Sequence, residues 1–493
     1  MKIKYFLLTA CLVCSCFFEH AFAQETVTYT LQQMVDEAKA KSPAALRALT
    51  RKENRYWQYR LYRSNYNPQL RLTGTIPNYY QEFNPITQED GSIAYIEQKQ
   101  NLFDVGLGLQ QVIAPTGGMV SVNTSATRLD NFRPNPGLPK TQYSGVPVNI
   151  LLQQPLFAYN PYKWDKKIQP LIFEESKREY VKEMEDMSVF VSQMYFDFLI
   201  AQVNYEIASA NLKNTGDVYA VEKKRYEMGV TYEDALLQIE LQVLTAKQDL
   251  AEAQMDLERA AFAVTSFVGL SRSSRLKLIS PSDIPEFDVN VDHAIDLAFQ
   301  NRAEAIGFDR QKLEAESEVA LAKGERFQVD LRASYGYNNA DYTFGGIYQD
   351  PVTQALVNLG VSVPILDWGR NKARMSQAQS NQRLVEYTVE QEQLNFEQEI
   401  FTKVNNFLMI KERLNVTKVA ADVGQRRYDI ALNRYSTGNV TITDLNVAQN
   451  EKDTNKRAYY SSLREYWIAY FELRALTLYD FENDALLYKS EGE

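Results

Sequence analysis

Histidine is almost absent from this chain of 493 residues, which contains only His20 and His293. A catalytic triad that uses histidine, a zinc site of the HExxH type and a histidine-ligated iron centre are therefore poorly supported. No GxxxxGK[ST] run occurs either, so nothing indicates a phosphate-binding loop. We expect no catalytic residue, no metal site and no cofactor in this protein.

Cysteine is confined to the first 23 residues, which have the pattern of a secretory signal peptide. A basic start is followed by an apolar run over 5–18 and by an A-x-A motif that ends at Ala23. The run is too short to span a bilayer, so we expect cleavage after Ala23. Lipoprotein processing before Cys11 is the alternative reading. The three cysteines are Cys11, Cys14 and Cys16. After cleavage at Ala23 the exported chain would contain no cysteine. It would therefore have no disulfide and would be held together by packing alone.

Acidic residues outnumber basic residues, and no long apolar run follows the signal peptide. The net charge of −10 argues against a nucleic-acid partner, which would require a basic patch. No later segment offers the roughly 20 apolar residues of a spanning helix. Any passage through a membrane would therefore be made by strands closed into a β-barrel.

An internal repeat is the most informative feature that is present. Arg225-Tyr-Glu-Met-Gly229 corresponds to Arg434-Tyr-Ser-Thr-Gly438, and Pro155-Leu-Phe157 corresponds to Pro364-Ile-Leu366, both 209 residues later. Leu70 and Leu72 correspond to Val329 and Leu331 at a distance of 259 residues. The first half thus carries about 50 additional residues before Pro155.

Each half has the pattern of a helix, strands, a very long helix, a tight turn and a returning helix. The ranges are 29–66, 161–227 and 236–267 for the helices of the first half, and 291–326, 369–435 and 445–479 for those of the second. A helix of about 65 residues would extend about 100 Å. Such length favours coiled-coil packing, and α-helical 3/4 spacing marks a core seam. The seam is formed by Val181, Met184, Ser188, Val191, Tyr195, Phe198 and Gln202.

The strand regions alternate between an apolar face and a small or polar face, which suits a soluble sandwich or a membrane barrel. The additional residues of the first half predict a hairpin with a glycine turn at Gly117-Gly118. The first half would then supply four strands where the second supplies two. Because the chain is exported and lacks a spanning helix, we favour the barrel.

These patterns predict four segments: a signal peptide over 1–23, a first repeat over 24–280, a second repeat over 281–480 and a C-terminal tail over 481–493. The predicted fold class is mostly α with a membrane β-barrel part, built from a duplicated unit of helix, strands and long coiled-coil hairpin. One chain has too few strands to close a barrel, so several copies must share it.

The ordered motifs resemble the TolC-like outer-membrane efflux family over essentially the whole exported chain. The resemblance implies a homotrimer whose strands form one shared β-barrel in outer-membrane lipid and whose helices form a periplasmic α-helical barrel. It implies a passive duct of a tripartite efflux or type I secretion system, docked to a periplasmic adaptor and an inner-membrane pump. Familiar members contribute four strands per subunit, so the additional hairpin departs from the family.

The resemblance also implies where function concentrates. The hairpin tips would dock the adaptor, and Asp444 would stand in three copies around a periplasmic gate, where close carboxylates repel and bind cations. The predicted tip residues are Arg225, Tyr226, Gly229, Arg434, Tyr435 and Gly438. Simple alternatives are helix caps for the glycines, packing groups for the Arg and Tyr residues, and a helix-dipole carboxylate for Asp444.

Two other functions fit parts of the sequence. A periplasmic coiled-coil adaptor or structural protein would also carry a helical hairpin, but normally a single one. A secreted glycosidase could use paired carboxylates, but it would have a compact core rather than two such long helices.

Overall fold

The computed structural model describes residues 26–134, 137–269, 275–437 and 439–488. The expected signal peptide over 1–23, the turn glycine Gly438 and the segment 489–493 lie outside this description. Within the described ranges no helix is long and apolar enough to cross a membrane. The described chain forms two compact units, one from residues 26–52, 177–305 and 395–488 and the other from 53–176 and 306–394.

The four long helices occur as two copies of one hairpin. Helix α3 (Pro161–Glu227) and helix α7 (Arg370–Ser436) have 67 residues each, and α4 (Glu233–Val268) and α8 (Ile442–Thr477) have 36 each. Every bound in the second copy follows its counterpart by the same distance that separates the sequence motifs. The predicted repeat and its long helices are therefore confirmed. Ser188, Val191, Tyr195 and Phe198 of the predicted seam are buried.

Each half begins with two helices where the sequence pattern predicted one. The range 29–66 contains α1 (Leu31–Lys41) and α2 (Pro43–Ser64), and 291–326 contains α5 (Val291–Asn301) and α6 (Ala303–Gly324). The prediction of unbroken helices was therefore wrong.

In each half, one residue with extended backbone separates the two helices. Ser42 is extended because the following proline ring disfavours helical backbone at the residue before it. Arg302 is also extended, and its buried guanidinium pairs with Glu304 and lies 4.8 Å from the ring centre of Phe396.

Six strands form one antiparallel sheet within the second unit. In chain order they are β2 (Gln69–Thr87), β3 (Ile93–Ile113), β4 (Gly118–Asn131), β5 (Thr141–Leu156), β7 (Gln328–Asp341) and β8 (Val352–Ser362), and they are neighbours in that same order. The first half supplies four of these strands and the second half two, and the predicted glycine-turn hairpin is β3–β4. Strands β2 and β8 are the two edges of the sheet.

The first unit also contains two pairs of short strands. Strand β1 (Thr26–Tyr29) pairs in parallel with β6 (Arg275–Leu278). The seam residue Tyr195 donates its hydroxyl to the carbonyls of Tyr29 and Ile279, which ties this pair to α3. Near the C-terminus, β9 (Tyr479–Asp480) pairs with β10 (Ala485–Leu486).

Candidate docking and gating site

The first hairpin turns through a left-handed glycine. Gly229 has φ of 75°, its N–H donates to the carbonyl of Tyr226 (2.9 Å), and the N–H of Val230 donates to the carbonyl of Arg225 (2.9 Å). These two bonds satisfy the last carbonyls of α3 and form a Schellman cap. Apart from its chain neighbours, no described residue places an atom within 4 Å of the position a Cβ would take at Gly229, so it is the backbone conformation that requires glycine.

The second hairpin repeats part of this turn. The N–H of Asn439 donates to the carbonyl of Arg434 at 2.9 Å, as the N–H of Val230 does to the carbonyl of Arg225 in the first hairpin. Gly438 stands at the position equivalent to Gly229 but lies outside the described residues.

A small apolar cluster joins the two hairpins just before their turns. Tyr428 and Tyr435 of α7 and Leu445 of α8 are buried against Val218 of α3. Burial raises the pKa of the Tyr435 hydroxyl, and the nearby carboxylate of Glu222 raises it further.

The buried carboxylate of Glu222 lies between two predicted tip residues from different repeats. Arg225 Nη1 is 3.3 Å from Glu222 Oε2, and the hydroxyl of Tyr435 donates to the same oxygen at 3.4 Å. The Arg225 guanidinium lies 5.7 Å from the ring centre of Tyr435. One acid, one base and one phenol thus connect the end of α3 to the end of α7.

Asp444 is part of a helix cap in the single chain. Its carboxylate accepts from the hydroxyl of Thr441 at 2.7 Å and from the Thr441 N–H, while its own N–H donates to the Thr441 hydroxyl oxygen. This reciprocal pair is a capping box at the start of α8. The bonds from Thr441 lower the pKa of Asp444 below its usual value, and the nearby cation Arg434 lowers it further.

A partly buried polar layer lies further along the same helices. Asn211 donates to Asp453 at 2.7 Å, and Lys452 Nζ is 3.1 Å from the other oxygen of that carboxylate. Lys452 also lies 4.3 Å from the ring centre of Tyr428, whose hydroxyl accepts from Asn214 at 3.0 Å. Like Glu222, these residues link α3 of the first hairpin to the second hairpin.

The structure brings some predicted tip residues together and leaves others apart. Arg225 and Tyr435 are in contact, whereas Tyr226 is 40% exposed and Arg434 is exposed beside Asp444. Sequence reasoning missed Glu222 and the polar layer. An acid three residues before Arg225 on the same helix was the available signal for Glu222.

Most of the chain, including both long hairpins, matches a known protein family. The family model described as Outer membrane efflux protein matches residues 115–270 and 310–477, which is more than half of the chain. The two matched ranges contain the long hairpins of the two repeats.

Two curated relatives match part of the chain. Toxin and drug export protein A of Aggregatibacter actinomycetemcomitans is 23% identical over 58% of this chain and 66% of its own length. The probable outer membrane lipoprotein SilC of Salmonella typhimurium is 24% identical over 46% of this chain and 48% of its own length. The chain thus spans less than two thirds of either relative.

A solved structure matches over most of both chains. The CmeC outer membrane channel of Campylobacter jejuni has a TM-score of 0.64 at 15% identity, with 92% of this chain and 87% of that chain covered. At this identity the likeness concerns the fold.

Proposed function

The chain belongs to the outer membrane efflux protein family, and from this we propose that it is the outer-membrane duct of an export system, assembled from three copies. We further propose that residues 24–280 and 281–480 are the two repeats of the exported chain, that 1–23 are removed on export and that 481–493 form the tail. The duct would be a passive conduit, and the proposal gives it no catalytic role. The duplicated hairpin, with two apolar seams that are exposed within the described part of the chain, is the observation that carries the proposal.

The first seam lies on α4. Its apolar side chains follow one another after 4, 3 and 11 residues, which are sums of the α-helical spacings 3 and 4, and they are exposed in the single chain. They are Leu237, Leu241, Leu244 and Met255. A seam of this length requires a partner helix, because large contiguous apolar surfaces mark interaction sites.

The second seam lies on α7, where the apolar side chains follow one another after 7, 3, 4 and 7 residues. It consists of Met409, Val416, Val419, Val423 and Ile430, all exposed. Both seams are in the first unit, on helices of different hairpins.

The repeat indicates how the two seams meet. Within the chain, α3 packs on α8 through Asn211 and Asp453 and through an ion pair of Asp197 with Arg464 at 2.9 Å. The repeat counterpart of α3 is α7, and that of α8 is α4. The same packing between copies would therefore place α7 of one chain on α4 of the next, and closure after three chains gives a ring of six hairpins.

The turns at the ends of α3 and α7 are the proposed adaptor-docking surface. The adaptor would in turn bind an inner-membrane pump. The residues offered there are Arg225, Tyr226, Gly229, Arg434, Tyr435 and Gly438. Tyr226 and Arg434 are exposed at these ends and available for contact. Asp444, in three copies, is the proposed gate carboxylate, and its bonded capping box would hold each copy in position.

The docking proposal is tested at Gly229. Gly229→Val forces a β-branched residue into a left-handed conformation at a cost of about 1–2 kcal/mol. Asn tolerates this conformation, so Gly229→Asn is the matched control. We expect Gly229→Val to be inserted as an assembled duct but to lose cross-linking to the adaptor. Cells that carry this variant should accumulate the exported compounds. Gly229→Asn should retain both cross-linking and export. Full cross-linking and export by Gly229→Val would refute the docking role of this turn.

A further inference from the structure

Strands β3 and β4 have no counterpart among the strands described in the second half of the chain. The start of β2 corresponds to the start of β7 at the repeat distance of the strand region, and β5 corresponds to β8 at the repeat distance of the long helices. The hairpin Ile93–Asn131 is therefore an addition to the repeat.

An apolar row crosses all six strands without interruption. Each member is directly opposite the next in the strand register, and all are exposed. The row consists of Leu70, Leu109, Val122, Ile150, Tyr335 and Ala355. Because β3 and β4 contribute Leu109 and Val122 to this row, their apolar face is continuous with that of the repeated strands.

The adjacent row faces the other side and is polar or small throughout. Its members are also directly opposite one another. The row consists of Arg71, Gly108, Asn123, Asn149, Gly336 and Gln354. One apolar and one polar face is the pattern of a strand with lipid on one side and water on the other.

The turn of the added hairpin is fixed to the rest of the second unit. Asn160, just before α3, donates to the carbonyls of Ala114 (2.9 Å) and Pro115 (3.2 Å). The side chain of Gln154 on β5 exchanges two bonds with Thr116, at 2.7 and 3.0 Å. A loosely attached insertion would not make these four bonds, so the hairpin is an integral part of the sheet.

We propose that β3 and β4 are membrane strands, so that three chains close a barrel of eighteen strands rather than the twelve of four-strand subunits. This inference rests on the proposed trimeric duct, and the number of strands determines the diameter of its membrane part. The partner of each sheet edge is a second copy of the chain, with β8 of one chain paired to β2 of the next. Unpaired backbone at those edges would be costly in lipid, and closure removes it.

The added strands widen the duct by a calculable amount. With strands about 4.8 Å apart and tilted by about 40°, eighteen strands give a backbone diameter of about 36 Å, against about 24 Å for twelve. The membrane part would therefore be wider than a twelve-strand barrel.

The diameter of the full-length protein in lipid nanodiscs, measured by electron microscopy, tests the proposal. We expect a threefold particle with a barrel of about 36 Å, the eighteen-strand diameter. A threefold particle with the narrower diameter of a twelve-strand barrel would overturn the eighteen-strand barrel and leave the proposed duct intact. A particle without threefold symmetry or without a barrel would overturn the proposed duct itself.

Single cysteines provide a second measurement, since no cysteine occurs after Cys16. A fluorophore on Leu109→Cys should be quenched several-fold more by lipids with brominated acyl chains than one on Asn123→Cys, which stands opposite Gly108 on the polar face. Equal weak quenching at the two sites would place the added hairpin outside the bilayer and contradict the proposal.

Discussion

Tyr226 and Tyr435 occupy equivalent positions of the two repeats but have different surroundings. Tyr435 is 8% exposed and bonded to Glu222, whereas Tyr226 is 40% exposed. The difference arises because α3 of the first hairpin covers the end of α7, while nothing within the described chain covers the end of α3 in the same way. The residue type alone therefore does not define the role of a tip tyrosine.

Removing one hydroxyl at each position should separate the two roles. Tyr435→Phe deletes the bond to the buried Glu222 and should lower the free energy of unfolding by about 0.5–1.5 kcal/mol. Tyr226→Phe is the matched control and should change it by less than about 0.5 kcal/mol. Denaturant unfolding of the detergent-solubilised protein measures both. Equal losses in the two variants would show that the bond to Glu222 contributes nothing specific.

Asp444 should make the start of α8 sensitive to acid. Because the pKa of Asp444 is lower in the folded than in the unfolded chain, its carboxylate stabilises the start of the helix fully at pH values above its ordinary pKa of about 4. This stabilisation is lost as the pH falls through the lower folded-state pKa. At neutral pH we expect faster hydrogen exchange over residues 442–446 in Asp444→Asn than in the wild type. This difference should vanish in acid, and a difference independent of pH would contradict the assigned cap.

At the scale of elements, strand β8 should have one lipid face and one water face. Leu359→Glu places a charge on the apolar face and should impair insertion by about 1–2 kcal/mol, less than the cost of a cation at the same depth. Asn358→Glu is the control, because Asn358 is directly opposite Arg332 and an opposite charge there is favourable. Outer-membrane yield measures insertion. Equal loss in both variants would mean that the two faces are wrongly assigned.

The long helices could be predicted from sequence because their signal is local and repeated. Period, length and turn glycines agreed in both halves, so the bounds of α3 and α7 were found within one residue of those observed. The break at Pro43 was also readable from the residue before a proline. The break at Arg302 was not, since the aromatic ring that its guanidinium contacts, Phe396, is far away in the chain.

The candidate site was predicted less completely for the same physical reason. The turn residues carry a local motif, whereas Glu222 acquires its role through a contact with Tyr435, which belongs to the other repeat. Its repeat counterpart is Ala431, so comparing the two halves also gave no indication of a site. Contacts between the two repeats are determined by tertiary packing, which local sequence patterns do not encode.

At the scale of the whole molecule, the seam on α4 should control assembly. Leu241→Arg combined with Leu244→Arg places two charges where each buried leucine would contribute about 1.5–3 kcal/mol per copy. Asp249→Arg lies on another face of the same helix and is the matched control. Native mass spectrometry should show loss of the trimer in the double variant and an intact trimer in the control. Trimers in both would exclude the α4 seam from the interface.

The mass of the particle extracted from the outer membrane tests the proposed trimer, because the shared barrel, the paired seams and the gate all require several copies. Light scattering of the wild-type protein in mild detergent, corrected for bound detergent, gives this mass. We expect a particle of three chains that dissociates on heating. A monodisperse single chain with native circular dichroism, recovered from the outer-membrane fraction, would contradict it.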